Sequence, residues 1–278
     1  VPPYEPGKEP SYVIPVFQED AVITGQTGRY RFIVDFEKGA AAAGGEFIFH
    51  VMRRDEMPAV EAEVVLWGDD EQLFNWLKEN QIQVRRFDKN IADKRQVILV
   101  AGTPEAPGGA EVFRDLARRI ACGSSVLFLM PEVFKKDSEP LGWAPLAKKG
   151  EVVYMPHWVY HVDDWNRIHP VFDGLPCGGL TDWRYYRDIT PTNAWVSTER
   201  IPDEVLAATI DASFGYNSGL LLSRYNLGTG EFFLNVYPIR QRLGGDPVAE
   251  RMLRNLLNYA GRNISQPLSA LPADFEDE

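Results

Sequence analysis

Three uninterrupted apolar runs, "AEVVLWG" (62–68), "RQVILVAG" (95–102) and "SSVLFLMP" (124–131), constrain this chain more than anything else in it. A strand that alternates apolar and polar residues buries one face. A strand that is apolar at every position is buried on both, as in a parallel sheet covered by helices. The helices are at hand. After the first run comes "DDEQLFNWLKEN", with Leu73, Phe74 and Leu77 at helical spacing and Asp69 or Asp70 placed to cap it. After the second comes "AEVFRDLARRIACG", whose stripe is Val112, Phe113, Leu116, Ala117 and Ile120, with Gly123 suited to the C-terminal cap. A short strand, "QVRRFD", lies between. Near the end, "GEFFLNVYPI" (230–239) reads as a strand and "DPVAERMLRNLLNYAG" (246–261) as a helix, capped by Asp246, with Pro247 in its first turn and Gly261 as its stop. This order predicts an α/β fold, a parallel sheet flanked by helices.

The first 58 residues follow a different grammar. Residues 1–15 carry five prolines, which suits an extended linker. The segments "VFQEDAVIT", "GRYRFIVDFEKG" and "GEFIFHVMRR" then read as strands. In the second, Tyr30, Phe32, Val34 and Phe36 share one face. Gly25-Gln26-Thr27-Gly28 suits a hairpin turn and "GAAAAGG" a flexible connection. The organisation expected is residues 1–58 as linker and three or four β-strands, the end of a β-sandwich; 59–265 as the α/β domain; and 266–278 as an acidic, disordered tail.

Composition excludes some functions. A net charge of -11 argues against a nucleic-acid binder, because neutralising phosphates takes a dense basic face. No apolar run approaches the roughly 18 residues that span a bilayer, so no membrane partner is expected. Two cysteines, Cys122 and Cys177, are too few for a disulfide framework or a cysteine-built zinc site, and fit either redox compartment. The start, "VPPYEPGKEP", has no initiator Met and no apolar signal core, so it reads as a trimmed segment.

The chemistry-bearing stretch is 157–186, "HWVYHVDDWNRIHPVFDGLPCGGLTDWRYY", with three of the four histidines and three of the seven tryptophans. His157 and His161 are four apart, but no Glu follows the first, so the helical metalloprotease motif fails. "EVVYMPHWVYHV" reads better as a strand, on which the two would lie about 13 Å apart, too far to share a metal. No metal and no cofactor is expected. The first βα turn, "LWGDDEQ", lacks the dinucleotide fingerprint and the phosphate loop. "GTPEAPGGAEVF" could present amides to an anion, although two prolines remove donors from it.

In its element order the chain resembles the class I glutamine amidotransferase-like fold in its ThuA-like variant, which implies a flavodoxin-like or amidotransferase-like parallel sheet flanked by helices. The residues that carry this are "HPVFDGLP" (169–176) and the closing strand and helix, "GEFFLNVYPI" and "DPVAERMLRNLLNYAG". The last is similar to the C-terminal amidotransferase-like domain of large bacterial β-galactosidase-type glycoside hydrolases. The resemblance covers about 60–262. Active amidotransferases hold a nucleophilic Cys on a tight turn after a buried strand, with a His–acid pair downstream. Here that turn reads "MPEVF" (130–134), so the nucleophile is missing. Glycoside hydrolysis needs two carboxylates across a sugar-sized cleft, usually on a barrel, and eight βα units cannot be counted.

The resemblance therefore implies a non-catalytic accessory or structural domain of a multidomain carbohydrate-active enzyme, periplasmic or secreted if it degrades polysaccharide. Its partners would be other domains of a larger polypeptide, a second copy, or carbohydrate. The contact residues expected are His157, Trp158, Tyr160, Trp165, His169, Asp182, Trp183, Arg184, Tyr185 and Tyr186, since aromatic rings beside polar groups suit a sugar face or a protein interface. Packing of a long loop is the competing explanation of those rings, and His169 before Pro170 reads as a loop-fixing residue rather than a base. Two alternatives stay open: a module or enzyme acting directly on sugars, and a degenerate amidase using another nucleophile, Cys122 or Cys177.

Overall fold

A computed structural model describes residues 18–35, 45–90, 93–103, 109–155, 162–211, 216–273 and 275. The chain divides into two compact units, Val1–Arg53 and Arg54–Glu278.

In the first unit, β1 (Gly28–Val34) and β2 (Gly45–Val51) pair antiparallel, with Tyr30 opposite Phe49 and Phe32 opposite Phe47. The period-two alternation puts these aromatics on one face, where the Tyr30 and Phe49 rings stack at 5.7 Å. Only these two strands occur among the unit's described residues. The strand expected over 16–24 is absent from its described part, residues 18–24. That stretch is exposed throughout, and the backbone after it turns against the hairpin: Tyr30 Oη donates to the Gln26 carbonyl at 2.7 Å, and the Arg53 N–H to Thr27 Oγ1 at 2.9 Å. Most of "GAAAAGG" lies outside the described residues.

The second unit is built on one sheet of eleven strands. In chain order, β3 (Val64–Trp67) leads through α1 (Glu71–Glu79) to β4 (Val84–Arg86). Then β5 (Val97–Val100) leads through α2 (Gly109–Ala121) to β6 (Ser125–Phe128). There follow β7 (Glu151–Tyr154), β8 (Val162–Asn166), β9 (Gly179–Leu180), α3 (Trp183–Tyr186), β10 (Asn193–Val196), β11 (Glu204–Asp211) and β12 (Asn217–Leu227). The unit closes with β13 (Gly230–Asn235), α4 (Ile239–Arg242) and α5 (Pro247–Gly261). The spatial order is β4-β3-β5-β6-β13-β12-β11-β8-β9, with β10 pairing to β12 and β7.

The pairs from β4 to β13 are parallel, and every pair beyond β13 is antiparallel. The sheet is thus mixed, which corrects the expectation of a parallel one. Parallel neighbours need helical crossovers, and among its described residues the stretch from β7 to β12 has one α-helix, the four-residue α3, and a short 3-10 turn, so its strands join antiparallel.

The apolar runs form β3, β5 and β6, buried at every position. Their alternate residues serve two cores. Val65, Trp67, Ile98, Val100, Val126 and Phe128 pack with Leu116, Ile120 and Ala121 of α2. Val64, Leu66, Val97, Leu99 and Leu127 face the other way, toward α5, which packs against β5 and β6. The step from β3 to β4 runs opposite to the step from β5 to β6. Right-handed crossovers therefore put α1 and α2 on opposite faces, and the loops after β3 and β5 diverge at a switch point.

The caps follow the sequence. Asp70 accepts the Leu73 N–H at 2.9 Å and Asp246 the Val248 N–H at 2.7 Å. Gly261, expected as a stop, is the last residue of α5, where an added Cβ would come within 3.0 Å of Ala62. The described part of the tail is anchored: Arg95 Nε donates to the Pro267 carbonyl at 2.9 Å and the Ser269 N–H to the Cys122 carbonyl at 2.9 Å.

Candidate functional site

The turn after β6 is where the resemblance would put a nucleophile. Met130 is extended, and Pro131–Phe134 form a 3-10 turn whose Val133 and Phe134 are buried. Phe134 packs on Phe128 at 5.0 Å and edge-on against Trp195 at 5.1 Å. Asn235 closes this end of the sheet, donating from Nδ2 to the carbonyls of Leu129 (2.7 Å) and Tyr237 (2.8 Å). The turn is a core plug. Cys122 follows α2, and burial pushes its thiol up, away from the thiolate a nucleophile needs. Cys177 is exposed in the loop before β9.

The stretch that drew attention in the sequence separates into parts. His157, Trp158 and Tyr160, with the His157–His161 spacing, lie outside the described residues. Trp165 is half-buried on β8, opposite Ala208 of β11 and Leu180 of β9. Asp182 caps α3 by accepting the Arg184 N–H at 3.0 Å. Trp183 is 63% exposed, with the Arg184 guanidinium 5.6 Å from its ring centroid. Tyr186 is fully buried and donates to the Pro176 carbonyl at 2.6 Å; burial drives its phenol far up. Tyr185 leans on it at 5.5 Å, its own phenol raised by burial. Ile168 (84% exposed) and Leu180 (72%) stand near Trp165, where Asn166, Arg167, Gly178 and Gly179 complete a shallow hollow of about 690 Å³. Packing claims Tyr186, while Trp183, Ile168 and Leu180 face outward.

His169 turns inward. Its Nδ1 accepts the Val171 N–H at 3.2 Å, capping a 3-10 turn at Pro170–Phe172. Its ring meets Tyr259 edge-on at 4.5 Å, and its Nε2 lies 3.6 Å from Glu204. Burial lowers its pKa first; Glu204 opposes this, and Arg167, Arg262 and Arg224 add to it.

The two segments that carry the family resemblance meet here. Asn255 of α5 donates from Nδ2 to the carbonyls of Val171 (3.1 Å) and Asp173 (3.0 Å), holding the "HPVFDGLP" loop. Around them lies a charged network that sequence reasoning missed. Glu204 accepts from Arg224 Nε at 3.1 Å and Tyr259 Oη at 3.2 Å. Glu231 accepts from Arg224 Nη1 at 3.3 Å, from Ser125 Oγ at 3.1 Å and from Arg262. Burial alone would raise the Glu204 carboxyl, but Arg224, His169 and Tyr259 together hold it below the usual range.

A second feature missed from the sequence is a cleft of about 560 Å³ over the carboxyl ends of β4, β3 and β5. Leu66, Trp67, Phe87 and Val112 line it with Asp69, Arg86 and Thr103. Gly68 (φ +98°) and Gly102 touch backbone to backbone beside it; a Cβ on Gly68 would lie 2.5 Å from the Gly102 nitrogen. The signal was there: each glycine directly follows an apolar strand. The glycine- and proline-rich segment considered for an anion has residues 104–108 outside the described set. Among the described residues no group of three or more His, Cys, Asp or Glu side chains is placed to hold a metal ion, and no helix is long and apolar enough to cross a membrane.

The fold and these sites define a mixed-sheet α/β protein without a nucleophile at its β6 turn. No protein-family model matches the chain, and no curated protein matches it. Among solved structures it is similar to a protein from Bacteroides uniformis described as ThuA-like, at 11% identity and TM-score 0.43 over 74% of this chain and 94% of that one. It is also similar to a β-galactosidase from Bacillus circulans sp. alkalophilus, at 17% identity and TM-score 0.39 over 77% of this chain and 33% of that one. A third likeness is to a cytoplasmic protein from Salmonella typhimurium, at 10% identity and TM-score 0.40 over 83% of this chain and 95% of that one. Likenesses this distant do not assign a function.

Proposed function

We propose that this chain is a non-catalytic, amidotransferase-like α/β domain that works by contact, akin to the accessory domain of a β-galactosidase-type enzyme. The observation that carries the reading is the β6 turn. Where the resemblance calls for an exposed nucleophile, Val133 and Phe134 are built into the core. The order of the five parallel strands, β4-β3-β5-β6-β13, supports a flavodoxin-like half-sheet, since by chain position it runs second, first, third, fourth, fifth. On this reading residues 59–265 are the accessory domain, 1–58 a linker with strands, and 266–278 a tail. Its contact surface is the hollow beside Trp165 with Ile168, Leu180 and Trp183, exposed apolar groups next to the short edge strand β9. Such groups gain most by being covered. The partners are other domains of a larger polypeptide or a second copy.

The test pairs two assays on the full chain. Glutamine and nitrophenyl galactosides should show no turnover above buffer, and sedimentation should show concentration-dependent association that Ile168→Asp and Leu180→Asp weaken. Turnover that disappears in Glu132→Gln or Cys177→Ser would overturn the reading, as would a chain that stays monomeric at every concentration and associates with no barrel domain.

A further inference from the structure

Three buried polar atoms play no part in the contact reading. Asn166 Oδ1, Thr209 Oγ1 and Tyr237 Oη are shut off from solvent, their residues each 1% exposed, and none has a hydrogen-bond partner among the described residues. Leaving such a group unpaired costs more than a typical hydrogen bond contributes, so native interiors rarely do it.

The sheet brings the three together. Asn166 stands on β8 opposite Ala207 of β11, and Asp164 stands opposite Thr209. Asn166 and Thr209 are therefore diagonal neighbours on one face, while Trp165 points to the other. Diagonal positions lie about 7–8 Å apart, and two hydrogen bonds of about 2.8 Å through one shared molecule fit within that span. Tyr237 arrives from beyond β13. Asn235 fixes its backbone, accepting its N–H at 3.2 Å and donating to its carbonyl at 2.8 Å. Its phenol, raised by burial, lies near enough to Asp164 and Tyr186 to be raised further by both. Tyr186 in turn stands beside Asn166, with its own hydroxyl given to the Pro176 carbonyl. Small neighbours leave room: Ala207 flanks Asn166 on one side, and Gly179 on the other has open space where a Cβ would stand.

The donor set selects the occupant. The Thr209 and Tyr237 hydroxyls each bring a proton that needs an acceptor, and Asn166 Oδ1 brings lone pairs that need a donor. A cation satisfies lone pairs only and leaves both protons unpaired. An anion takes the protons but faces Oδ1, with the Asp164 carboxylate close to Tyr237. Water both donates and accepts, and buried water characteristically bridges groups of this kind. We propose that Asn166, Thr209 and Tyr237 enclose an internal water site that ties the strands β8 and β11 to the end of β13.

The experiment joins a crystal structure of the full chain, at a resolution that shows ordered solvent, to urea unfolding of Tyr237→Phe and Thr209→Val. Density for a water within about 3.2 Å of at least two of the three oxygens is expected. Each substitution should lower the folding equilibrium constant at least about threefold, because it strands the water and the partners that remain. The double variant should lose less than the product of the two, since the second deletion strands nothing new. Bare unpaired hydroxyls give the opposite sign, because deleting one removes a buried group with no bond to lose. A constant that stays the same or rises in either variant overturns the proposal, as do losses that multiply in full or three oxygens bonded to protein groups alone. Melting of the unsubstituted chain in sodium, potassium and choline chlorides at equal ionic strength should coincide. A shift that follows the cation would replace the water by an ion. If a variant does not fold, the crystal structure and the salt series still decide. None of these outcomes bears on association through Ile168 and Leu180.

Discussion

The setting of His169 disfavours its charged form. Its Nδ1 must stay an acceptor for the Val171 N–H, and protonation would remove that lone pair. Burial, with the three arginines nearby, lowers its folded pKa despite Glu204. A lowered pKa means the unfolded chain binds the proton more readily. The stability His169 contributes is therefore complete above the unfolded value near 6.5, and is lost as pH falls through the lower folded value. Urea unfolding between pH 7 and pH 5 should show a decline that His169→Asn, which keeps an acceptor for the turn, largely removes. An identical decline in the variant would rule His169 out as its source. Glu204 is also lowered, but its window lies below pH 4.5, so the two effects separate.

Gly68 makes a second residue-scale prediction. At φ +98° and with the Gly102 nitrogen 2.5 Å from where a Cβ would sit, Gly68→Ala should cost about 1–3 kcal/mol in unfolding free energy. Gly28, whose Cβ would meet nothing within 4 Å, should tolerate the same change. The chain advertises His169 through "HPVFDGLP", yet its ring partner Tyr259 and its acid Glu204 arrive from α5 and β11. No local pattern announces such a meeting.

At the scale of elements, legibility followed burial. Leu73 and Leu77 of α1, Leu116 and Ile120 of α2, and Leu253, Leu256 and Leu257 of α5 declare their helices because one stripe must be buried. The strands β3, β5 and β6 declare themselves because both faces are. Of the antiparallel half only β7 was legible, at the start of "EVVYMPHWVYHV". In β11 the register against β12 slips at Ala207, so Leu206, Ala207 and Ala208 are all buried and the alternation that marks a strand is erased. Over its described part, residues 18–24, the expected strand failed for the opposite reason: Val22 and Ile23 are exposed, so the pattern existed with nothing to pack on. The aromatic stretch gave residues but not roles, because Tyr186 and Trp183, three apart on a single turn, have opposite fates. A cap can be tested directly. The Asp246 side chain accepts the Val248 N–H at the start of α5, so Asp246→Ala should cost about 1 kcal/mol, while Asp246→Asn keeps the acceptor and most of the stability. Equal losses in the two variants would move the explanation from hydrogen bonding to charge.

Across the whole unit, the sheet changes character between β13 and β12, and the charged network sits across that change. Glu231 stands on β13, the last parallel strand, Arg224 on β12, and Glu204 on β11. Arg262, beyond α5, binds Glu231, Tyr259 of α5 binds Glu204, and Ser125 of β6 reaches Glu231 from the parallel side. Arg224 alone touches both carboxylates, at 3.1 and 3.3 Å, and its side chain is mostly buried. A buried ion pair is weak evidence of stabilisation relative to apolar packing, but removing one partner leaves the other charge uncompensated. Arg224→Met should therefore cost about 3–5 kcal/mol, since it strips Glu204 of its closest cation and Glu231 of one of two. Adding Glu204→Gln should recover part of that loss, because the orphaned charge goes with it; simple addition of two costs would show that the residues act independently. Equilibrium urea unfolding of the single and double variants reads both numbers. A loss below about 1 kcal/mol for Arg224→Met, the range of an exposed pair, would mean that water screens the junction and that apolar packing alone joins the two halves.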